Sequence, residues 1–336
     1  LGSSVYATLS KVFPSVKALP EDTLFFLAST GSRSLFDPQK MIDRLFERKI
    51  KTDFVTADQI RYRFANDRVE RVAAAFENTI WKTKNTDLRP RTCYFEFLRW
   101  LSQFNPKLAG AFFVWANVPF LVILIGGVSM IVALGGFAQD PRKRMRKLAL
   151  VSMGVAGFSL MAFEIVVIYL FQAAFGDLYY RLAWVITAFM VGLGAGTLAG
   201  LSLGKIPERF ALAGLHGLNA AFFFLLIKVC VGLFLKGFFL GEGYQLLFLG
   251  MALTAGLAAG ASFPFANRFY FGRGEGSRLA SVYAADLWGA ALGALLTAGF
   301  LLPIWGVSLT LVLLGAVNVL LSLLLLFRKN LGCKDL

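Results

Sequence analysis

The sequence predicts an α-helical integral membrane bundle of about seven transmembrane helices, preceded by a small α/β segment. Of its 336 residues, 57% are hydrophobic and 16% are charged, whereas soluble domains average about 25% charged residues. The charged residues are dense up to Lys107 and sparse beyond it. Seven apolar runs follow, each long enough to provide the ~20 residues that cross about 30 Å of hydrocarbon. We therefore predict two domains, residues 1–107 and 108–336.

The sequence of residues 1–107 predicts a helix, two strands and further helices. Apolar residues at helical spacing end at Pro14, Ser15–Leu19 follows as an extended stretch, and the short apolar run Thr23–Ala28 is typical of a buried strand. Asp37 is predicted to cap a helix that begins at Pro38. This order is typical of the tail of an α/β domain, and the segment has no Gly-rich turn of the kind that binds nucleotides.

The second segment predicts a multi-pass protein of the inner cell membrane. Asn117 and Pro119 interrupt the first apolar run, which is either a kinked span or a re-entrant pair. Lys and Arg accumulate in cytoplasmic loops, and Arg142–Lys147 is the densest such cluster. Alternation from this cluster predicts a cytoplasmic C-terminus but leaves the side of residues 1–107 open. The seven predicted spans are 109–136, 148–174, 179–204, 210–235, 244–266, 279–302 and 305–327.

Polar side chains inside the predicted spans form the candidate site, because such residues are costly to bury in hydrocarbon. Either carboxylate could pair with Lys228 or face a ligand, and His216 could be a hydrogen-bonded core residue instead. The three cysteines have no metal-ligand spacing, and a single His disfavours a catalytic triad. We therefore predict no catalytic or metal site. The candidate residues are Glu164, Gln172, His216, Asn219, Lys228 and Asp286.

The remaining sequence features concern partners. The net charge of +14 does not indicate nucleic-acid binding, because the basic residues of the second segment lie mostly between apolar runs. The lipid bilayer is the predicted partner instead. Small residues four apart predict close helix packing in lipid, and the same faces could join copies of the chain in a homo-oligomer. These faces are Gly192/Gly196/Gly200, Gly256/Gly260 and Gly289/Gly293.

Four stretches carry a family resemblance. Residues 157–200 contain a Glu in the first span, a Phe-Gln-x-x-x-Gly exit and a Phe-Met-x-Gly-Leu second span, and residues 283–307 contain Asp286 at an acidic position. These stretches resemble the membrane region of spermidine-synthase-like integral membrane proteins, the fused transporter-like/spermidine synthase family. Residues 13–29 and 85–90 are similar to the C-terminal part of the aminopropyltransferase-like domain in those fusions.

The resemblance implies that residues 1–107 are the incomplete tail of a methyltransferase-like (Rossmann-like) domain. Its cosubstrate would be decarboxylated S-adenosylmethionine, but the nucleotide loop and the catalytic Asp pair would lie upstream of Leu1. LPEDTL at 19–24 replaces the expected aromatic Pro-Tyr-Pro-Gly-Gly-type segment. No catalytic or cofactor-binding residue is therefore carried over, and we expect this chain alone to be inactive as a transferase and to bind no cofactor.

Three functions follow as hypotheses. The first is a membrane-bound, polyamine-related spermidine-synthase-like protein, of which this chain is the C-terminal part. The second is a transporter-like bundle that moves polyamines or other small solutes with its intramembrane carboxylates. The third is a structural anchor.

Overall fold

The computed structural model describes residues 1–31, 36–65, 67–78, 84–115, 117–136, 140–176, 179–236, 243–271 and 279–327. The described part is mostly helical and divides into two compact units. The first unit consists of Leu1–Thr86 and Pro90–Gly110, and the second of Asp87–Arg89 and Ala111–Leu336.

The first unit contains a two-stranded sheet and several helices. The strands are antiparallel, with Ser15 opposite Ser29 and Leu19 opposite Phe25. Asp37 accepts a hydrogen bond from Gln39 N at 2.9 Å, which confirms the predicted cap. A two-stranded sheet is too small to identify a Rossmann-like domain, so the methyltransferase-like tail remains a prediction. The elements are α1 (Gly2–Val12), β1 (Ser15–Leu19), β2 (Phe25–Ser29), α2 (Pro38–Glu47), α3 (Ala57–Ala65), α4 (Asp67–Asn78) and α5 (Arg91–Phe104).

A chain of long helices forms the second unit. Asn117 and Pro119 do break the first predicted span, which becomes two helices, and the basic cluster Arg142–Lys147 lies in the first turns of a helix rather than in a loop. The elements are α6 (Pro106–Trp115), which runs from the first unit into the second, α7 (Phe120–Gly136), α8 (Pro141–Phe175), α9 (Tyr179–Ser202), α10 (Glu208–Lys236), α11 (Gly243–Phe271), α12 (Leu279–Leu296), a π-helix (Thr297–Trp305) and α13 (Gly306–Phe327).

Five helices in the described ranges are long and apolar enough to cross a membrane. This fits the predicted membrane protein, although the sequence predicted about seven spans. The last of the five, Ala280–Phe327, combines α12, the π-helix and α13, and Phe120–Met130 is a shorter apolar helix. The sequence placed a break at Pro303, but the π-helix contains this proline and the helix is interrupted at Gly306 instead.

The long helices pack in pairs, α8 with α12, α9 with α11 and α10 with α13. A Cβ atom added at Gly192 would overlap Leu253 O, and one added at Gly196 would overlap Leu257 O. Only glycine allows the backbones of α9 and α11 to approach this closely. The glycine faces therefore pack within the chain, as the sequence predicted.

A tripeptide from outside the helices belongs to the second unit. Leu88 packs against the hydrophobic core of the bundle, and burial lowers the pKa of the Arg89 guanidinium. Asp87–Arg89 thus binds where the π-helix meets α13, close to the C-terminal end of α8. Its three hydrogen bonds run from the Tyr169 hydroxyl to Asp87 O (2.6 Å), from Val307 N to Leu88 O (2.9 Å) and from Arg89 Nε to Ile304 O (2.9 Å).

Candidate functional site

His216 lies at the centre of a buried polar network that links α8, α10 and α13. Its Nδ1 lies 2.7 Å from Asn318 Oδ1 and its Nε2 lies 2.8 Å from Ser152 Oγ. The amide of Asn318 donates to Ser159 Oγ and to Leu314 O, both at 2.8 Å. Because Asn318 Oδ1 can only accept, Nδ1 carries the imidazole proton and Nε2 accepts from the serine hydroxyl. Both ring nitrogens are satisfied, so His216 is a hydrogen-bonded core residue.

The partners of His216 were missed at the sequence level. Ser152, Ser159 and Asn318 are each fully buried. Serine is common in membrane helices and often bonds to its own helix, so Ser152 and Ser159 gave no signal. Asn318 was the available clue, because it is an amide inside the apolar run 305–327.

Glu164 is the most enclosed of the predicted carboxylates, with 6% of its surface exposed. No ion pair or hydrogen bond to its carboxylate is formed within the described ranges. Residues seven apart lie on nearly the same side of a helix, so Gly157, Glu164 and Phe171 share one face of α8. Gly157 packs against α12 and the Phe171 ring contacts Phe248 of α11. Glu164 therefore faces the side of α8 that packs against α11 and α12.

Asp286 lies half-buried on α12 and faces α8. Its Oδ1 is 2.7 Å from the position that a Cβ atom on Gly157 would occupy, so the carboxylate lies against the backbone of α8. Gly157 and Glu164 are two turns apart, or about 10 Å along the helix axis. The two carboxylates therefore lie along the same side of α8.

The other predicted site residues do not join this arrangement. Lys228 is exposed and forms no ion pair with Glu164 or Asp286 within the described part of the chain, so the pairing that the sequence offered as one of two alternatives is not formed there. The reason is rotation: Lys228 lies about 140° around α10 from the buried Phe223. Gln172 is half-buried near the end of α8.

Four buried side-chain polar atoms lack a hydrogen-bond partner within the described residues. They are Asn219 Nδ2 on α10, Asn267 Oδ1 and Arg268 Nε on α11, and Thr297 Oγ1 at the start of the π-helix. Asn219 was among the predicted site residues, whereas Thr297 was not. Sequence gave no signal for Thr297, because a threonine in an apolar helix usually bonds to its own backbone.

The described residues contain no group of three or more His, Cys, Asp or Glu side chains that could hold a metal ion. The first unit has a cavity of about 340 Å³. It is lined largely by apolar side chains such as Leu19, Phe25 and Phe64, and Glu21 and Arg63 form an ion pair of 3.5 Å at it.

No family model, no curated protein and no solved structure matches this chain. The resemblance to spermidine-synthase-like membrane proteins therefore remains a prediction from the sequence.

Proposed function

We propose that the helical unit is a carrier that moves small organic cations across the inner cell membrane. The observation that supports this is Glu164, a carboxylate that is nearly enclosed in an apolar helix and has no countercharge within the described ranges. An acidic residue inside a membrane span is costly and commonly marks an ion or substrate pathway. A transported cation would supply the missing charge.

The proposal includes seven crossings of the membrane. Ala280–Phe327 has 48 residues and would be about 72 Å long if straight, more than twice the ~30 Å hydrocarbon thickness. Gly306 interrupts it with a φ of +82°, so we count it as two spans. With α7 as the first, this gives seven spans and a cytoplasmic C-terminus on the side of Arg142–Lys147.

We take polyamines as the substrate class. Glu164 and Asp286 lie along one side of α8, so that one extended cation with two ammonium groups could contact both. The sequence resemblance to spermidine-synthase-like proteins supports the same class. It also supports, as a proposal, that residues 1–107 are the tail of an aminopropyltransferase-like domain.

Flux measurements test the proposal. The full chain would be reconstituted in phospholipid vesicles, and uptake of labelled spermidine and putrescine would be measured. Glu164→Gln and Asp286→Asn should each lower uptake by about 10-fold or more, because each removes a charge that offsets the substrate's ammonium group. Glu208→Gln, which neutralises a carboxylate in the first turn of α10, is the matched control and should leave uptake unchanged. Uptake that survives both Glu164→Gln and Asp286→Asn would rule out the carboxylate mechanism.

A further inference from the structure

The bundle contains an internal sequence repeat in α9 and α12. Residues 181–198 align with 278–295 without a gap, and eight of these 18 positions are identical. The glycines that pack α9 on α11 are thus matched by those that pack α12 on α8. The identical pairs are Arg181/Arg278, Leu182/Leu279, Ala183/Ala280, Val185/Val282, Ala188/Ala285, Gly192/Gly289, Gly196/Gly293 and Leu198/Leu295.

Burial repeats along with the sequence. Residues 185–200 and 282–297 agree in being buried, half-buried or exposed at 15 of 16 positions. The single exception is the pair Phe189 and Asp286, of which Phe189 is buried and Asp286 is half-buried. The two segments therefore occupy equivalent environments in the bundle.

The close backbone contacts repeat as well. A residue of α9 matches the residue of α12 that is 97 positions later, and a residue of α8 matches the residue of α11 that is 99 positions later. Under this rule, three close glycine approaches between α8 and α12 have counterparts between α9 and α11. The matched approaches are Gly289 to Gly154 O and Gly192 to Leu253 O, Gly293 to Phe158 O and Gly196 to Leu257 O, and Gly157 to Asp286 O and Gly256 to Phe189 O.

The directions of the helices show how the two copies are related. Successive glycine contacts advance together along α8 and α12 and along α9 and α11, so both pairs are parallel. In α10 and α13 the order is reversed: Ala213 meets Ser322, whereas His216 meets Asn318. These directions fit a chain that turns back after each of α8–α13, so α8 and α11 run in opposite directions. Exchanging α8 with α11, α9 with α12 and α10 with α13 then converts the pair α8/α12 into the pair α11/α9 and leaves the pair α10/α13 unchanged.

We infer that α8–α10 and α11–α13 are two copies of one three-helix unit that cross the membrane in opposite directions. Carriers built from inverted repeats open to one side and then the other, as one repeat moves against the other around a site at their interface. Alternating access by the two copies is therefore the mechanism we assign to the bundle. This last step rests on the proposed transport function, whereas the repeat itself does not.

The two carboxylates differ from the residues at the equivalent positions of the other copy. Asp286 is matched by Phe189, and Glu164 is matched by Phe263. The equivalent positions therefore accept an uncharged aromatic side chain, so the packing of the repeated unit does not demand either carboxylate. Each carboxylate is thus present in one copy only, as expected for groups that serve a ligand.

Sided labelling tests the opposite orientation of the copies. Lys147→Cys and Gly243→Cys lie near the N-terminal ends of α8 and α11, outside the predicted spans, and both wild-type residues are exposed. Each variant would be made in the full chain with Cys93, Cys230 and Cys333 replaced by Ser, and cells would be treated with a membrane-impermeant maleimide before and after permeabilisation. We expect Gly243→Cys to react in intact cells and Lys147→Cys only after permeabilisation. Reaction of both from the same side would overturn the inverted repeat.

Matched glycine substitutions test the equivalence of the copies. Gly157→Ala and Gly256→Ala should lower Tm in detergent by similar amounts, because each new methyl group meets the equivalent carbonyl oxygen. Gly194→Ala has open space and should leave Tm unchanged. A Tm loss for only one of the pair would overturn the equivalence, and the labelling result stands even if a glycine variant fails to fold. Absence of polyamine uptake with both results as expected would remove the carrier function and leave the repeat intact.

Discussion

Individual polar residues inside the bundle fall into two groups. The His216 network is closed, because each of its side chains has a partner on a neighbouring helix. Glu164 has no such partner within the described residues. A closed network holds helices in register, whereas an open carboxylate is available to a ligand.

Removing one member of the closed network should destabilise the bundle. Ser152→Ala leaves His216 Nε2 buried without a donor, which costs about 1–3 kcal/mol. Ser262→Ala is the matched control, because the buried Ser262 hydroxyl bonds only to Ala258 O of its own helix. Thermal unfolding in detergent should show a lower Tm for the first variant and little change for the second. Equal Tm values for the two variants would contradict the role given to the network.

Sequence could identify the rare residues but not their partners. Glu164, His216 and Asp286 stood out because acidic residues and His are uncommon in apolar spans. Pairing depends on how each helix is rotated about its axis. Apolar residues occur on every side of α10, so its sequence does not show which side faces the bundle. The sequence therefore left open whether either carboxylate pairs with Lys228, and Asn318 was overlooked.

At the level of helices, the junction between the π-helix and α13 depends on one glycine. Gly306 has a φ of +82°, and a side chain there would also meet Leu88 O and Arg89. The predicted spans 279–302 and 305–327 place the break at residues 303–304, which include Pro303. The chain instead contains Pro303 in a wider π-helix and turns three residues later.

Gly306→Ala should therefore be strongly destabilising. Gly306 combines a φ of +82° with a ψ of 177°, a backbone conformation that essentially only glycine adopts and that costs a residue with a side chain about 1–3 kcal/mol. Displacement of Leu88 adds to this cost. Gly299→Ala is the control, since no atom lies within 4 Å of a Cβ atom added at this π-helix position. Chemical or thermal unfolding in detergent should separate the two variants, and a Gly306→Ala protein as stable as the control would contradict this account.

For the whole molecule, hydrophobic run length predicted a membrane bundle but not the continuity of its helices. The last two predicted spans form one continuous stretch through the π-helix, and the first predicted span is divided into two helices at Asn117 and Pro119. The repeat was not predicted, although eight of 18 aligned residues in α9 and α12 are identical, because their glycines also fit ordinary packing faces. The spacing of 99 residues between α8 and α11 follows from the matching backbone contacts.

The proposed seven-span topology predicts which side of the membrane Cys93 occupies. Asp87–Arg89 binds Tyr169 and the start of α13, at the end of α8 remote from Arg142–Lys147. Cys93, an exposed free thiol, follows four residues later and should therefore lie on the non-cytoplasmic side. In cells that express a Cys230→Ser, Cys333→Ser chain, an impermeant maleimide should label Cys93 without permeabilisation. Labelling only after lysis would contradict this topology.

The tripeptide Asp87–Arg89 has a practical consequence for work on the isolated bundle. A fragment that starts where the apolar helices start would lack the acceptors for Tyr169 and Val307 and the donor for Ile304 O. Such a fragment should be less stable than one that begins before Asp87. Adding a short peptide with the sequence around Asp-Leu-Arg should restore part of the lost stability, because it can form the same hydrogen bonds with the bundle.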